Sequence, residues 1–181
     1  ILAGDCYQVN YAQRFEAALE GDAWSAYRYV RTHLAGGFSG FLRTAEDHAI
    51  LSLSPERFLK IHQGTVTSQP IKGTAPRHSD PEQDAALAKA LLNSEKDRAE
   101  NVMITDLLRN DLGQFCQTGS VNVTELCGLR SYNNVHHLVS TVEGKLAPGV
   151  SAGQMLLATS PGGSITGATK KRAVEIISEL E

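Results

Sequence analysis

The spacing of apolar and polar residues changes several times along the chain, and each change predicts a different element. Aromatic and β-branched side chains predict a strand over residues 6–15 and, separated by turn residues, a meander of short strands over residues 36–44, 48–64 and 65–71. Residues 119–146 return to the strand pattern, with apolar and polar residues alternating in VNVTEL and HLVSTVEG.

Helical spacing fills other parts of the chain. Residues 16–34 predict a helix with Trp24 and Tyr27 on its apolar side. Towards the carboxyl end, residues 151–161 predict a helix that runs into a glycine-rich turn, and residues 162–181 begin another helix. Because strands and helices do not alternate in regular β-α-β order, the pattern predicts an α+β fold.

The longest helical pattern runs from Asp80 to Gly113. A single helix of that length is uncommon in globular proteins. The segment Ser94–Asp97 has the sequence of a capping box, so we predict two helices that meet near Ser94. The apolar positions of this pattern are Leu87, Leu91, Val102, Met103 and Leu107.

The composition is that of a globular domain of ordinary size, or of part of a larger one. Hydrophobic residues make up 41% of the 181 residues, charged residues 20%, and the net charge is −3, which disfavours a nucleic-acid partner. Three cysteines without CxxC spacing indicate neither a disulfide framework nor a zinc site and favour the cytoplasm. No apolar run approaches membrane-spanning length, so no membrane partner is predicted.

The segment PGGSITGATKKR contains the GxxxxG spacing of a phosphate loop. Ala168 stands where that loop needs its lysine, so nucleotide binding is disfavoured. A glycine-rich turn at a helix start still offers backbone N–H groups to an anion, with Lys170 nearby. The alternative is an ordinary turn before a helix.

Several carboxylates and imidazoles are candidates for chemistry. Asp97 and Glu100 stand three residues apart, so on a helix they share a face and could hold Mg²⁺, although Asp97 could instead serve the capping box. His136 and His137 alternate on a strand, so at most one faces a site and the other is structural. Glu56 follows a Ser-Pro turn and could equally be a surface residue.

Six stretches in chain order resemble the chorismate-utilising enzymes, a family that includes anthranilate, aminodeoxychorismate, isochorismate and salicylate synthases. They are GDCYQVNYAQRF, SPERF, PIKGTAPR, SEKDRAENVMITDLLRNDLG, VHHLVSTVEG and PGGSITGATKKRAVEIISELE. The resemblance spans essentially the whole chain. It implies an α+β fold with antiparallel sheets and flanking helices, and a cytoplasmic enzyme that binds chorismate with Mg²⁺.

Two positions separate the branches of this family. Gln8 stands where isochorismate and salicylate synthases have a lysine that activates water, which disfavours water addition because an amide cannot accept that proton at neutral pH. Lys72 stands where anthranilate synthases have alanine, and its presence resembles the aminodeoxychorismate synthases. From turn chemistry alone, Lys72 would be a polar residue between Pro70 and Gly73.

The resemblance implies a role for each candidate catalytic residue. Lys72, with its amine neutral, would attack C2 of the chorismate ring while the C4 hydroxyl leaves, and ammonia would then displace the lysine by attacking C4. Glu56 would protonate the departing hydroxyl. His137 matches a family histidine that lies beside the ring.

The resemblance also implies the binding residues. Glu100 would be a Mg²⁺ ligand, and Asp97 would bind the ion through water, so that the metal neutralises a substrate carboxylate. The residues that match the region receiving the carboxylates of chorismate are Gly163, Ser164, Thr166 and Lys170.

The remaining expectations concern the longer protein. Its product would serve folate synthesis, and a glutaminase partner, as a subunit or a domain, would supply ammonia. The family continues beyond both ends of this chain, and its second Mg²⁺ glutamate lies in the missing carboxyl-terminal segment. We therefore expect residues 1–181 to be a partial catalytic domain that is inactive alone. Thr169 replaces a common early-helix proline, with a small structural effect expected.

Two alternatives stay open from the sequence. One is an anthranilate synthase, which would also eliminate pyruvate to give an aromatic product. The other is a non-catalytic remnant that binds chorismate-like acids or only a partner subunit. The presence of Glu56, Lys72, Glu100 and His137 together speaks against the remnant.

Overall fold

The computed structural model describes residues 1–34 and 37–181, which fall into two compact units, Gln13–Arg57 and the combination of Ile1–Ala12 with Phe58–Glu181. The strands are β1 (Gln8–Val9), β2 (Phe38–Ala45), β3 (His48–Ser54), β4 (Arg57–His62), β5 (Thr65–Gln69), β6 (Ile71–Pro76), β7 (Asn122–Ser131), β8 (Val135–Lys145) and β9 (Gly167–Ala168). The helices are α1 (Ala23–His33), α2 (Pro81–Leu92), α3 (Glu95–Gly113), α4 (Ala152–Thr159), α5 (Gly163–Thr166) and α6 (Lys170–Leu180).

The smaller unit is a helix beside an antiparallel β2–β3 hairpin. Asp22 caps α1 by accepting a hydrogen bond from the N–H of Ser25 at 2.9 Å. The ring of Trp24 lies 5.6 Å from that of Tyr27 and 5.2 Å from that of Phe41 on β2. These aromatic contacts join the helix to the hairpin.

The larger unit contains a five-stranded antiparallel sheet built around β8. Strand β7 pairs along one edge of β8. On the other edge, β6 pairs with the first half of β8 and β5 with the second half, while β4 lies beyond β5. The buried Pro70 separates β5 from β6, and its carbonyl still accepts from the N–H of Ser140 at 3.1 Å. Two short strands thus continue one edge of a long strand.

Helix α3 packs on this sheet and carries much of the core. Its buried residues Ile104, Leu108 and Leu112 join Val66 and Val142 in one cluster. The side chain of Asn101 is also fully buried on α3. The remaining buried members of the apolar cluster are Cys116 and Met155.

The fold class expected from the sequence, α+β with antiparallel sheets and flanking helices, is confirmed. The break between the two central helices is at Ser94, as predicted, where the Ser94 hydroxyl accepts from the N–H of Asp97 at 3.3 Å. The first residue of the strand predicted over 36–44, Gly36, lies outside the described residues. Within residues 1–34 and 37–181, no helix is both long and apolar enough to span a membrane.

Four local predictions were wrong. The helix predicted over residues 16–34 begins only at Ala23, because Asp22 caps it and Gly21 has a φ of 100°. The strand predicted over 6–15 is reduced to Gln8–Val9. The stretch containing Lys72 is strand β6 rather than a turn. The last helix begins at Lys170, after β9 interrupts the pattern.

The predicted apolar face of α3 was also misplaced. Val102 is 44% exposed, whereas its neighbour Asn101 is fully buried. The buried face includes polar residues whose hydrogen bonds are satisfied inside the protein, and an apolar-spacing argument cannot identify them. The alternation predicted along residues 137–144 is lost in its first part, because positions 137–140 are all buried where β8 has strands on both sides and α3 against it.

Candidate active site

Lys72 stands on an irregularity of the sheet. Strand β6 pairs with β8 through Ile71 and Val139 and again through Thr74 and His137, and the register shifts between these pairs. Such a β-bulge re-aims the side chains of the bulged strand. Lys72 lies in the bulge and is half-buried. Lys72 therefore belongs to the sheet rather than to a loop.

Gly73 makes the bulge possible. Its φ of 89° lies in the left-handed region that glycine adopts without strain. A Cβ atom at this position would lie 2.9 Å from the Cβ of Asp97 and 3.2 Å from Cδ1 of Leu91. The missing side chain thus lets the backbone beside Lys72 approach the first turn of α3, where a carboxylate stands.

His137 lies on the paired strand, next to the bulge. Its Nδ1 is 2.9 Å from the hydroxyl of Thr74, and only 8% of the residue is exposed. Burial lowers the pKa of His137 below its ordinary value, and a hydrogen bond with the backbone of Gly73 acts in the opposite direction. The imidazole is therefore held neutral at neutral pH beside the strand that carries Lys72.

Asp97 and Glu100 are half-buried on α3, one turn apart. The capping box expected at Ser94 is incomplete, because the N–H of Ser94 donates to the carbonyl of Leu91. Two carboxylates with oxygen donors suit Mg²⁺, which keeps several waters and takes only one or two protein carboxylates. Over the part of the chain that the structure describes, no three His, Cys, Asp or Glu side chains come close enough to hold a metal ion on their own.

Strand β1 and the glycine turn together form a polar cradle, which consists of Gln8, Asn10 and Ser164. Strand β1 pairs with β9, and the Asn10 side-chain amide donates to the Ser164 carbonyl at 2.9 Å. The Gln8 side-chain amide donates to Oδ1 of Asn10 at 3.1 Å. The Gln8 Oε1 and Ser164 Oγ atoms are buried without a hydrogen-bond partner among the described residues. Buried polar atoms usually have a partner, so this cradle fits a polar ligand or water.

Two glycines of this turn are required by close packing. A Cβ on Gly163 would lie 2.3 Å from Cδ2 of Leu107 on α3. A Cβ on Gly167, whose φ is 122°, would lie 2.0 Å from the carbonyl oxygen of Gln8. Thr166 is buried, and its hydroxyl donates to the Gly162 carbonyl at 3.2 Å. The turn thus lies directly on α3 and β1.

Lys170 has partners inside the protein. Its ammonium lies 2.7 Å from Oδ2 of Asp111 and donates to the Thr159 carbonyl at 2.9 Å. Asp111 lies fourteen positions after Asp97 on α3, or about 21 Å along the helix axis at 1.5 Å per residue. The structure does not bring Lys170 together with Lys72. Binding of a substrate carboxylate by Lys170 stays a prediction, and it would require the ammonium to be shared with Asp111.

Glu56 belongs to the smaller unit, in the turn between β3 and β4. Its N–H donates to the hydroxyl of Ser54 at 3.1 Å, which fixes the backbone of the turn. The side chain is half-buried. Its proposed use as an acid stays a prediction from the resemblance.

Sequence reasoning missed several residues that shape the site. Asn10, Thr74 and Asp111 contact candidate residues directly, yet each looks like an ordinary polar residue in its stretch. Tyr132 lies with its ring centroid 5.7 Å from that of His137. The only sequence signal for Asn10 is its position two residues after Gln8, on the same face of a strand.

Comparison with known proteins identifies the family of this chain. The family described as chorismate binding enzyme matches residues 1–181. The chain belongs to the chorismate binding enzymes. Aminodeoxychorismate synthase component 1 of Klebsiella aerogenes is 55% identical over 179 residues, which cover 99% of this chain and 40% of that protein. The protein of the same name from Salmonella typhimurium is 53% identical, with 99% and 39% covered.

A solved chorismate binding enzyme has the same fold. The structure of anthranilate synthase component I from Streptococcus pneumoniae superposes with a TM-score of 0.88 at 38% identity, covering 100% of this chain and 39% of that one. The chain spans about 40% of the length of each of these three proteins. Identity is higher to the aminodeoxychorismate synthases than to this anthranilate synthase.

Proposed function

We propose that this chain is the part of an aminodeoxychorismate synthase component 1 that carries its nucleophilic lysine, and that the whole enzyme converts chorismate and ammonia to 4-amino-4-deoxychorismate. The observation that carries this proposal is the β6 bulge, which contains Lys72, pairs with the strand bearing His137, and brings the adjacent residue Gly73 against Asp97 on α3. The same activity is supported by two relatives named aminodeoxychorismate synthase component 1, each identical to this chain at more than half of the aligned residues.

The proposed first step forms a bond between Nζ of Lys72 and C2 of the ring. Both ring double bonds shift, the C4–O bond breaks, and Glu56 gives a proton to the departing hydroxyl, which leaves as water, while the Lys72 nitrogen returns one proton to the Glu56 carboxylate. Ammonia then attacks C4, both double bonds shift back, and the Lys72 amine leaves from C2 with the proton that the attacking ammonia gives up. A rigid sheet suits this role, because a covalent catalyst needs its attacking atom held close to the reacting carbon.

We further propose that His137 lies beside the ring as a neutral hydrogen-bonding group. Its burial favours the uncharged imidazole, which can accept or donate a hydrogen bond without adding a cation next to the attacking amine. The Thr74 hydroxyl at 2.9 Å orients the imidazole. Thr74 and His137 are paired across the sheet, so both keep a fixed position relative to Lys72.

The binding roles are part of the same proposal. Glu100 would ligate Mg²⁺ directly and Asp97 through water, and the ion when bound would neutralise a carboxylate of chorismate. Gly163, Ser164 and Thr166 would receive substrate carboxylates. The buried unpartnered Ser164 Oγ supports this assignment, since a ligand oxygen would complete its hydrogen bonding.

The name component 1, carried by the relatives, implies a second component. We propose that a glutaminase, as a subunit or domain, supplies ammonia from glutamine, and that the complete enzyme works in the cytoplasm on the route to folate. Anthranilate synthase is the second candidate, favoured by the superposition with the Streptococcus pneumoniae enzyme. Lys72 speaks against it, because the resemblance gives the anthranilate synthases an alanine at this position.

The product identifies the activity. The complete polypeptide that contains this chain should convert chorismate to aminodeoxychorismate when Mg²⁺ and ammonium are supplied, as read by the mass of the product. Anthranilate with release of pyruvate would instead establish the second candidate. Absence of any conversion of chorismate, with Mg²⁺ and ammonium present and the protein folded, would favour the non-catalytic remnant.

The covalent step has its own test. With chorismate and Mg²⁺ but no ammonium, the intact mass should rise by chorismate less one water, and the modified peptide should contain Lys72. The Lys72→Ala variant should lose the adduct, whereas Lys60→Ala, which removes an exposed lysine from β4, should keep it. Normal turnover in Lys72→Ala, together with an unmodified wild-type lysine, would reject the nucleophile.

A further inference from the structure

The turn between β7 and β8 places an aromatic ring against His137. The ring centroids of Tyr132 and His137 are 5.7 Å apart and the rings meet at 61°, an edge-to-face contact. Tyr132 is 41% exposed while His137 is 8% exposed, so the phenol lies on the outer side of the imidazole. The N–H of Tyr132 donates to the Val135 carbonyl at 2.8 Å, which closes the turn.

Arg77, from the end of β6, holds this turn at two points. Its Nη1 donates to the carbonyl of Tyr132 at 2.7 Å, and its backbone N–H donates to the carbonyl of Asn134 at 3.2 Å. Hydrogen bonds from a charged guanidinium are stronger than those between neutral groups. The position of the Tyr132 backbone therefore depends on the position of the Arg77 side chain.

Asp84 on α2 fixes that guanidinium. Its carboxylate accepts from Nε of Arg77 at 2.9 Å and from Nη2 at 2.8 Å, the forked geometry of a bidentate pair. The N–H of His78 donates to the same carboxylate at 2.9 Å. These hydrogen bonds, of which the one from Arg77 has the largest effect, hold the pKa of Asp84 well below its ordinary value. The carboxylate is therefore charged at neutral pH.

His136 connects the same carboxylate to the other side of the turn. Its Nε2 lies 3.0 Å from Oδ1 of Asp84, and its Nδ1 lies 2.8 Å from the hydroxyl of Ser131. An anionic partner at Nε2 assigns the proton to that nitrogen and leaves Nδ1 to accept from Ser131. His136 is 2% exposed, so its imidazole is shielded from water. Asp84 is thus tied to Ser131 and to Tyr132 by two separate routes.

We propose that Arg77, Asp84 and His136 are positioning residues that hold Tyr132 against His137, so that the imidazole keeps one orientation during the reaction. The inference rests on the proposed function, because the orientation of His137 matters for the reaction only if His137 lies beside the substrate ring. A purely structural brace would tie α2 to the sheet and leave the accessibility of His137 unchanged. The position of the phenol between His137 and solvent separates the two possibilities.

Acylation by diethyl pyrocarbonate, mapped residue by residue by mass spectrometry, measures the cover on His137 without needing activity. In the complete polypeptide, Tyr132→Ala and Arg77→Gln should raise the acylation rate of His137 roughly threefold to tenfold, the factor that one aromatic contact of this kind supports. Tyr132→Phe keeps the ring and should stay near the wild-type rate. Arg109→Gln, which removes an exposed ion pair elsewhere, is the matched control, and the exposed His62 serves as the internal reference.

Kinetics then test positioning. We expect Arg77→Gln and Tyr132→Ala to lower kcat about tenfold with little change in KM, and the double variant to lose no more than either alone, since both act through one ring. An unchanged acylation rate of His137 in both single variants would overturn the inference, as would increased acylation with unchanged kcat. If the wild type makes anthranilate instead, the proposed function fails while the acylation comparison still decides whether Tyr132 covers His137.

Discussion

At the residue scale, Gly73 determines how closely the backbone beside Lys72 approaches Asp97. Most side chains would be strained at a φ of 89°, and here even a methyl group would meet the Cβ of Asp97 at 2.9 Å. The sequence alone indicated Lys72 through its resemblance to a family, but interpreted Gly73 as a turn residue. Only the strand pairing shows that glycine is needed inside a strand, because the bulge depends on the register with β8.

Replacement of this glycine tests the close approach. Gly73→Ala should lower the free energy of unfolding by about 2–5 kcal/mol, combining left-handed strain with overpacking against Asp97. Gly64→Ala is the matched control, since Gly64 has a φ of 73° but nothing within 4 Å of an added Cβ. It should lose only the strain, about 1–2 kcal/mol. Equal losses in urea titrations of the two variants would mean that the contact with Asp97 imposes no constraint.

At the scale of elements, α3 joins the separate parts of the candidate site. Its first turn carries Asp97 next to the bulge, its middle receives Gly163 on Leu107, and Asp111 near its end binds Lys170. Sequence periodicity predicted a helix here, and the capping-box sequence at Ser94 predicted where it begins. It misassigned the buried face, because hydrogen-bonded polar residues occupy core positions and no apolar spacing reveals them.

Asn101 is the clearest of these polar residues. Its Nδ2 donates to the Leu138 carbonyl at 3.0 Å, and its Oδ1 accepts from the hydroxyls of Ser140 and Thr105. The bond to Leu138 ties α3 to the strand that carries His137. Removing one partner of a buried hydrogen bond lowers the free energy of unfolding by more than the net contribution of that bond, because the other polar group is left buried and unpaired.

Asn101→Ala should therefore destabilise the protein by about 2–4 kcal/mol through lost hydrogen bonds and a small cavity. Val102→Ala, one position along the helix, removes apolar atoms from a side chain that is 44% exposed and should change stability by less than about 0.5 kcal/mol. Thermal or urea unfolding measures the loss of stability in both variants. A larger loss in Val102→Ala than in Asn101→Ala would mean that the buried face of α3 is the one that apolar spacing predicts.

At the scale of the whole molecule, the fold class followed from the sequence because strand and helix patterns differ clearly in period. The strand pairing around β8 did not, since nothing in the residues of β5 and β6 states that they share one edge of a single strand. Contacts that depend on this pairing, such as Thr74 with His137 and Arg77 with Tyr132, were equally hidden. Long-range polar contacts have no local signal in one sequence.

These long-range contacts should make stability depend on pH. Because the pKa of Asp84 is lowered on folding, its contribution is complete above the ordinary carboxyl value of about 3.9 and is lost as the pH falls below it. The stability difference between wild type and Asp84→Asn should thus shrink as the pH falls from about 5 towards 3. Asp106→Asn, at an exposed pair with Arg109, should show little difference throughout. A wild-type advantage of Asp84 that persists undiminished at pH 3 would contradict the pairing.

The polar cradle joins residues that are far apart in sequence: the contact between Asn10 and Ser164 spans 154 positions. Bringing such distant segments together costs chain entropy before any contact is gained, so pairings of this kind form slowly. During synthesis, β1 leaves the ribosome long before its partner β9 exists. Strand β1 therefore has no partner strand until almost the whole of this chain has been made. We expect the polar cradle to be completed among the last steps of folding.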